Sequence, residues 1–241
     1  GELANTGGFK VITTVSSKDQ LAAEKAVRNG LMEYDRRHGW HGKEATIDLG
    51  QNRDKLIADL KKIPAVADLT ATLVLSVNNS KASLLLPDGQ ELSIGASAAD
   101  GTGKSLSGAI SAGDVVRLQK NGNTYRLAQI PSAQAALVSL QPEDGALRAI
   151  VGGFSYSTSN FNRATSAKRQ PGSSFKPFVY TASFERGYSP SSIVLDAPVV
   201  FRDNNGNVWR PQNDRGGFRG PMRLREALVQ SRNLVSVRLL D

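Results

Sequence analysis

Arg169-Gln170-Pro171-Gly172-Ser173-Ser174-Phe175-Lys176-Pro177-Phe178 is the stretch on which the reading of this chain turns. It sets Ser173 three residues ahead of Lys176. A serine hydroxyl is a poor nucleophile near neutral pH and needs a neighbour to take its proton. Residues three apart on a helix share a face, so the Lys176 amine can reach the Ser173 oxygen. Lysine serves as a base only where burial or nearby positive charge lowers its pKa. Pro171-Gly172 allows a sharp turn into a helix, whose dipole favours negative charge developing at Ser173. That helix is expected to run from 174 to 185 and stop at Gly187, with Pro177 tolerated in the first turn. By itself the spacing is weak, because ordinary composition produces it about once in a few hundred residues.

Downstream, Ser231-Arg232-Asn233 follows a helical stretch over residues 223–230. Ser-x-x-Lys followed by Ser-x-Asn is a pairing used by enzymes that form an acyl-serine, although Asp commonly stands where Arg232 does. Upstream, residues 136–140 and 146–151 read as two strands of a hairpin joined by Gln141-Pro142-Glu143-Asp144-Gly145. Gly152-Gly153 closes the second strand, and a polar loop over 155–162 leads to the serine segment.

The front of the chain is of a different kind. Residues 9–15 are rich in β-branched side chains and read as a strand. Ser17 is expected to open a helix, with Gln20 completing a capping box. Ala23, Val27, Leu31 and Tyr34 fall on one face, opposite Glu24, Lys25 and Arg28, and the helix should end near Gly39. His38 and His41 lack a third ligand type nearby and read as surface histidines.

A helix over 52–63 is stopped by Pro64. Strands are then expected over 70–77, 82–86, 91–94, 115–119 and 124–130, with turns at Asn78-Asn79-Ser80, Pro87-Asp88-Gly89 and Asn121-Gly122. Five short strands suit a small OB-like barrel. Residues 95–113, small and polar, read as a mobile excursion between strands. Within them Gly101-Thr102-Gly103-Lys104-Ser105 is a near-match to a phosphate-binding loop. It has Ala98 where such a loop needs glycine, and residues 109–113 offer no following helix.

The 241 residues suffice for one large or two small domains. Hydrophobic content of 39% and charged content of 22% are ordinary for a folded domain. No apolar run is long enough for a membrane span and residues 1–5 do not form a signal peptide. Without cysteine there is no disulfide, thiolate metal site or cysteine nucleophile. The net charge of +8 is concentrated: residues 160–241 carry a surplus of 7 cations and the first 159 residues a surplus of 1. Such an arginine-rich region suits phosphates, carboxylates or anionic glycans alike. Nucleic-acid stacking would need aromatics, and residues 70–130 contain only Tyr125.

The serine segment, Arg210-Pro211-Gln212-Asn213, Gly220-Pro221-Met222-Arg223-Leu224-Arg225-Glu226-Ala227-Leu228 and Ser231-Arg232-Asn233 together resemble the class A, bifunctional penicillin-binding proteins. The hairpin resembles the first sheet hairpin of their transpeptidase domain. Gly8-Phe9-Lys10-Val11 and Tyr34-Asp35-Arg36-Arg37-His38-Gly39, followed by a barrel-like insert, resemble the 1A type of Gram-negative bacteria. The likeness extends over essentially the whole chain. It implies an α+β fold: a truncated, β-lactamase-like serine-transpeptidase domain with an inserted all-β OB-like domain. Residues 1–42 would be an N-terminal linker or first part of the transpeptidase domain, 43–131 the insert, and 132–241 the N-terminal portion of the transpeptidase domain that holds both serine motifs. Ser173 would be acylated, Lys176 would accept its proton, Ser231 would relay protons to the leaving amine, and Asn233 would bind the substrate amide. The substrate would be a peptidoglycan stem peptide ending in D-Ala-D-Ala, with β-lactam antibiotics as mimics and no cofactor or metal.

The resemblance further implies a periplasmic protein held in the inner membrane by an anchor outside these residues, no nucleic-acid partner, and a lipoprotein activator docking on the insert. Other readings are a serine β-lactamase, which would need a carboxylate to activate water that no pattern near Ser231 supplies, and a docking module without activity. The family's third motif, Lys-Ser/Thr-Gly, and its glycosyltransferase domain do not occur in these residues, so the chain is expected to be a piece that reacts poorly with penicillin.

Overall fold

In the computed structural model, which describes residues 6–203 and 205–240, helix α1 spans Ser17–Arg37. The chain divides into two units, Gly1–Ala167 and Lys168–Asp241.

In the first unit the cap of α1 is Ser16, one residue earlier than expected, its side chain accepting from the Asp19 amide. Gln20 closes no capping box. Its side chain instead bonds both polar atoms of the Ile150 backbone, at 3.0 and 2.9 Å. Ala23, Val27 and Leu31 are buried as expected, but Asp35 continues the face and Tyr34 is exposed. Four-residue steps from 23 lead to 35, and Tyr34 lies about 100° away around the helix. Tyr34 stacks on His38, while the Asp35 carboxylate accepts from Gln129 and from the Ser132 amide.

The expected strand over 9–15 is not formed. Phe9, Val11 and Ile12 are exposed, and hydrogen bonds from Thr14 and Ser16 to the carbonyls of Leu147 and Arg148 tie down only its end. β-branched residues favour a strand where a pleated partner receives them, and none does so among the described residues.

The insert holds β1 (Ala45–Thr46), α2 (Arg53–Lys61), β2 (Leu69–Val77), β3 (Lys81–Leu85), β4 (Glu91–Gly95), α3 (Leu106–Ala109), β5 (Asp114–Asn121) and β6 (Thr124–Ala128). They form an antiparallel sheet in the order β1-β5-β2-β3-β4, with β6 also on β5. All five expected strands are present. The two-residue β1, too short to show periodicity, is additional. Strand β5 is buried on both faces: Val116 and Leu118 point to an inner core with Val74, Leu84 and Ile94, and Val115 packs with Leu56 and Leu60 of α2.

Residues 95–113 are not an excursion. A 3₁₀ turn at Ala96–Ala99 and helix α3 place Ala98, Ala99, Leu106 and Ile110 in the inner core. Small side chains let this segment fill the opening between β4 and β6, which do not pair. A helix does follow Ser105, contrary to expectation, but it is four residues long and follows a 3₁₀ turn instead of a strand.

The expected hairpin is β7 (Leu137–Leu140) with β8 (Leu147–Val151), and α1 buries its apolar face against Ala149, Val151 and Phe154. Helix α4, Arg163–Ser166, follows.

The second unit begins with a 3₁₀ turn at Gly172–Phe175 and continues as α5, Lys176–Glu185. Strands β9 (Ile193–Asp196) and β12 (Gly220–Arg223) pair antiparallel, and β10 (Phe201–Arg202) pairs with β11 (Val208–Trp209). Helices α6 (Leu224–Val229) and α7 (Asn233–Leu240) complete it, with Val179, Tyr180, Met222, Leu224, Ala227 and Val235 as the core.

Candidate active site

Every residue that the sequence nominates for chemistry lies in this second unit. Gly172, at φ +53°, turns the chain into the 3₁₀ segment and leaves Ser173 on the surface. One turn later the α-helix starts at Lys176, so the nucleophile candidate stands on the lead-in turn and not on the helix proper.

Ser231 occupies a position that usually belongs to glycine. Helix α6 ends in a left-handed residue, with the Arg232 amide bonding Ala227 O and the Ser231 amide bonding Leu228 O, both at 2.9 Å. This is the Schellman closure, and its left-handed residue is Ser231, at φ +52°. A serine held there costs roughly 1 kcal/mol or more of backbone strain, which is characteristic of functional positions. Helix α7 then starts at Asn233.

Lys176 is only 8% exposed. Its Nζ donates to Ser231 O at 2.6 Å, Ser231 Oγ at 2.9 Å and Asn233 Oδ1 at 2.7 Å. Ser231 Oγ in turn donates to Ser173 Oγ at 3.1 Å. The four residues are therefore brought together, but along a different path from the direct Lys176–Ser173 contact expected from helical spacing. The segment 231–233 offers three acceptors that fill the three ammonium donors, and Ser231 bridges to the nucleophile candidate.

Asn233 is held from both ends. Its Oδ1 accepts from Lys176 and its Nδ2 donates to Gln212 O at 3.0 Å, so both ends of the amide are engaged within the protein. Burial holds the Lys176 ammonium below the usual lysine range, and the charge of Asp214 opposes this. A cavity of about 500 Å³ opens onto Ser173 and Lys176, with Trp209, Gln212, Asn233 and Leu240 in its walls.

Spacing gave no hint of Asp196. It is fully buried and paired with Arg232 at 2.6 Å. The signal available was a lone acid ending the apolar run Ile193-Val194-Leu195, since such an acid needs a buried partner. The unusual Arg232 is that partner.

Comparison with known proteins finds two matching regions. The family model for the penicillin-binding protein OB-like domain matches residues 40–133, and the penicillin-binding protein transpeptidase domain matches 135–241. Penicillin-binding protein 1A of Pseudomonas aeruginosa is 45% identical over the whole chain, and that of Haemophilus influenzae 40%. The chain spans 31% and 28% of these two relatives. The crystal structure of the H. influenzae protein superposes with a TM-score of 0.88 at 37% identity, covering 99% of this chain and 37% of that one. The chain thus belongs to the penicillin-binding proteins, of the Gram-negative 1A type, and carries OB-like and transpeptidase regions of that family.

Proposed function

We propose that the second unit carries the nucleophilic part of a peptidoglycan D,D-transpeptidase, with Ser173 as the acylated residue. The observation that carries this reading is the hydrogen-bond chain Ser173–Ser231–Lys176 facing an open cavity. With Lys176 neutral, the two hydroxyls reverse as donors over the same distances: Ser173 gives its proton to Ser231 Oγ, and Ser231 gives its own to Lys176 Nζ. Ser173 Oγ attacks the carbonyl of the penultimate D-Ala of a stem peptide, forming an ester. The terminal D-Ala leaves with the proton returned through Ser231. An amine of a neighbouring strand then takes the acyl group and frees Ser173. Asn233 Oδ1 has a second lone pair, which accepts the substrate's backbone N–H while Lys176 keeps the first.

A β-lactam acylates the same oxygen, because its strained amide stands in for the peptide bond. The reaction needs no metal or cofactor in this scheme. The domain limits proposed from the sequence, 1–42, 43–131 and 132–241, serve it by setting the barrel apart as an insert on which a lipoprotein activator docks. The protein would act in the periplasm on the inner membrane, where its substrate is built.

The test is intact-protein mass spectrometry of the protein as its gene encodes it, after incubation with a β-lactam. One adduct per chain is expected, and none in the Ser173→Ala variant. Undiminished labelling of Ser173→Ala would sink the assignment.

A further inference from the structure

The segment 231–233 is suspended from two buried side chains that have no part in the proton path. Asp196, at the end of β9, is fully buried. Its Oδ2 accepts from Arg232 Nε at 2.8 Å and from the Arg219 amide at 3.0 Å, and it lies 2.6 Å from Arg232 Nη2 in an ion pair. Its Oδ1 accepts from Asn213 Nδ2 at 2.9 Å. Asn213, also buried, turns its Oδ1 to the backbone amides of Asn233 and Leu234, at 2.9 and 3.2 Å, and so caps α7. Both Asn213 and Arg232 also donate to Gly217 O, at 3.1 and 2.7 Å. Ser231 is followed directly by two residues, Arg232 and Asn233, whose anchors converge on one carboxylate.

We infer that Asp196 is a positioning residue for acyl transfer: through Arg232 and Asn213 it holds segment 231–233 in the left-handed turn that sets Ser231 Oγ between Lys176 and Ser173. This rests on the reading of Ser173 as nucleophile. Three physical points support it. A serine at φ +52° is strained and persists only where its surroundings over-determine it. A buried ion pair is a poor device for stability alone, since desolvation offsets most of its attraction, and is better explained by the geometry it fixes. The anchor is also charged: burial pushes the Asp196 carboxyl up, but hydrogen bonds from Asn213, Arg232 and the Arg219 amide more than offset this, leaving it below the usual carboxylate range. Arginine at the middle of the motif has the length and the fork of donors to reach that carboxylate and Gly217 together.

The test uses the gene-encoded protein and a fluorescent penicillin, resolving the acylation rate constant from the affinity of the preceding complex. Asp196→Asn keeps the size of the side chain and removes its charge. Loosening the relay by about 1 Å typically costs about a hundredfold, so the rate constant should fall about a hundredfold with the affinity within about threefold. Arg232→Lys, which keeps a cation but not the fork, should fall about tenfold. A purely structural role would instead lower the number of titratable active sites and leave the rate constant of the remainder intact. That result overturns the inference, as does a folded Asp196→Asn protein acylating within about twofold of the parent. If Asp196→Asn does not fold, Arg232→Lys decides, and an unchanged rate constant there is fatal. The underlying reading fails separately, through labelling of Ser173→Ala, whereas these variants remain labelled at Ser173, only more slowly.

Discussion

Arg117 in the barrel and Arg232 in the second unit are both buried and both paired with a carboxylate, but their surroundings differ. Arg117 grips Glu44 through two hydrogen bonds, at 2.6 and 2.7 Å, and donates to Pro64 O at 2.6 Å, tying β5 to chain on either side of α2. Polar neighbours in the barrel are used up on one another: Thr72 bonds Val116 O, and Gln119 joins Asp68 to Arg126. In the second unit the buried pair ends beside groups left facing a cavity, Ser173 and Lys176. The same two functional groups thus fasten a barrel in one place and, by our inference, aim a hydroxyl in the other. Where the partners lead, and not the strength of the pair, separates the two roles.

The strongest way to break that contrast is Ser231→Gly. It removes the relay hydroxyl while giving the left-handed turn the residue that suits it. Acylation should fall about a hundred- to a thousandfold, with the melting temperature unchanged or slightly raised because glycine relieves the strain. Rapid acylation by the glycine variant, followed by stopped-flow with a reporter β-lactam, would show that Ser231 is not in the proton path. A large fall in melting temperature would show that its backbone is not strained.

In the barrel the two halves of the ion pair should differ in cost. The Arg117 side chain is 3% exposed and that of Glu44 37%. Glu44→Ala strands a buried cation and should destabilise by about 3 kcal/mol, whereas Arg117→Met leaves a carboxylate that water can reach and should cost about 1 kcal/mol. Urea unfolding of the two variants measures both. Equal costs would mean that burial of the cation is not the controlling feature.

The smallest effect concerns pH. Lys176 is a base only when neutral, and burial favours that form against the opposing charge of Asp214. The acylation rate should therefore rise with pH and level off below the usual lysine range, and Asp214→Asn should move the rise to still lower pH. By linkage, a lysine whose folded pKa lies below its unfolded value makes stability increase with pH between the two values. A rise centred at the free-lysine value, or a shift to higher pH in Asp214→Asn, would contradict this picture.

Sequence alone settled what depends on neighbours along the chain. Turn chemistry located the strands of the barrel, with Gly89 left-handed in Pro87-Asp88-Gly89, although the last hairpin turns at Gly122-Asn123, one residue later than the expected Asn121-Gly122, because Asn121 pairs with Thr124. The two serine motifs, with their surrounding residues, nominated all four side chains that meet at the site. Tertiary structure decided what depends on contacts distant in sequence. Residues 9–15 have strand propensity but no pairing strand among the described residues, and residues 95–113 have loop composition but a core to fill. Asp35 replaces Tyr34 on the buried face because Gln129, 94 residues away, satisfies its carboxylate. The route from Lys176 to Ser173 passes through Ser231 because α6 ends in a left-handed turn. Asp196 sits 36 residues from the arginine it holds, and no local pattern could assign that partner, since a buried charge is defined by what the fold brings to it.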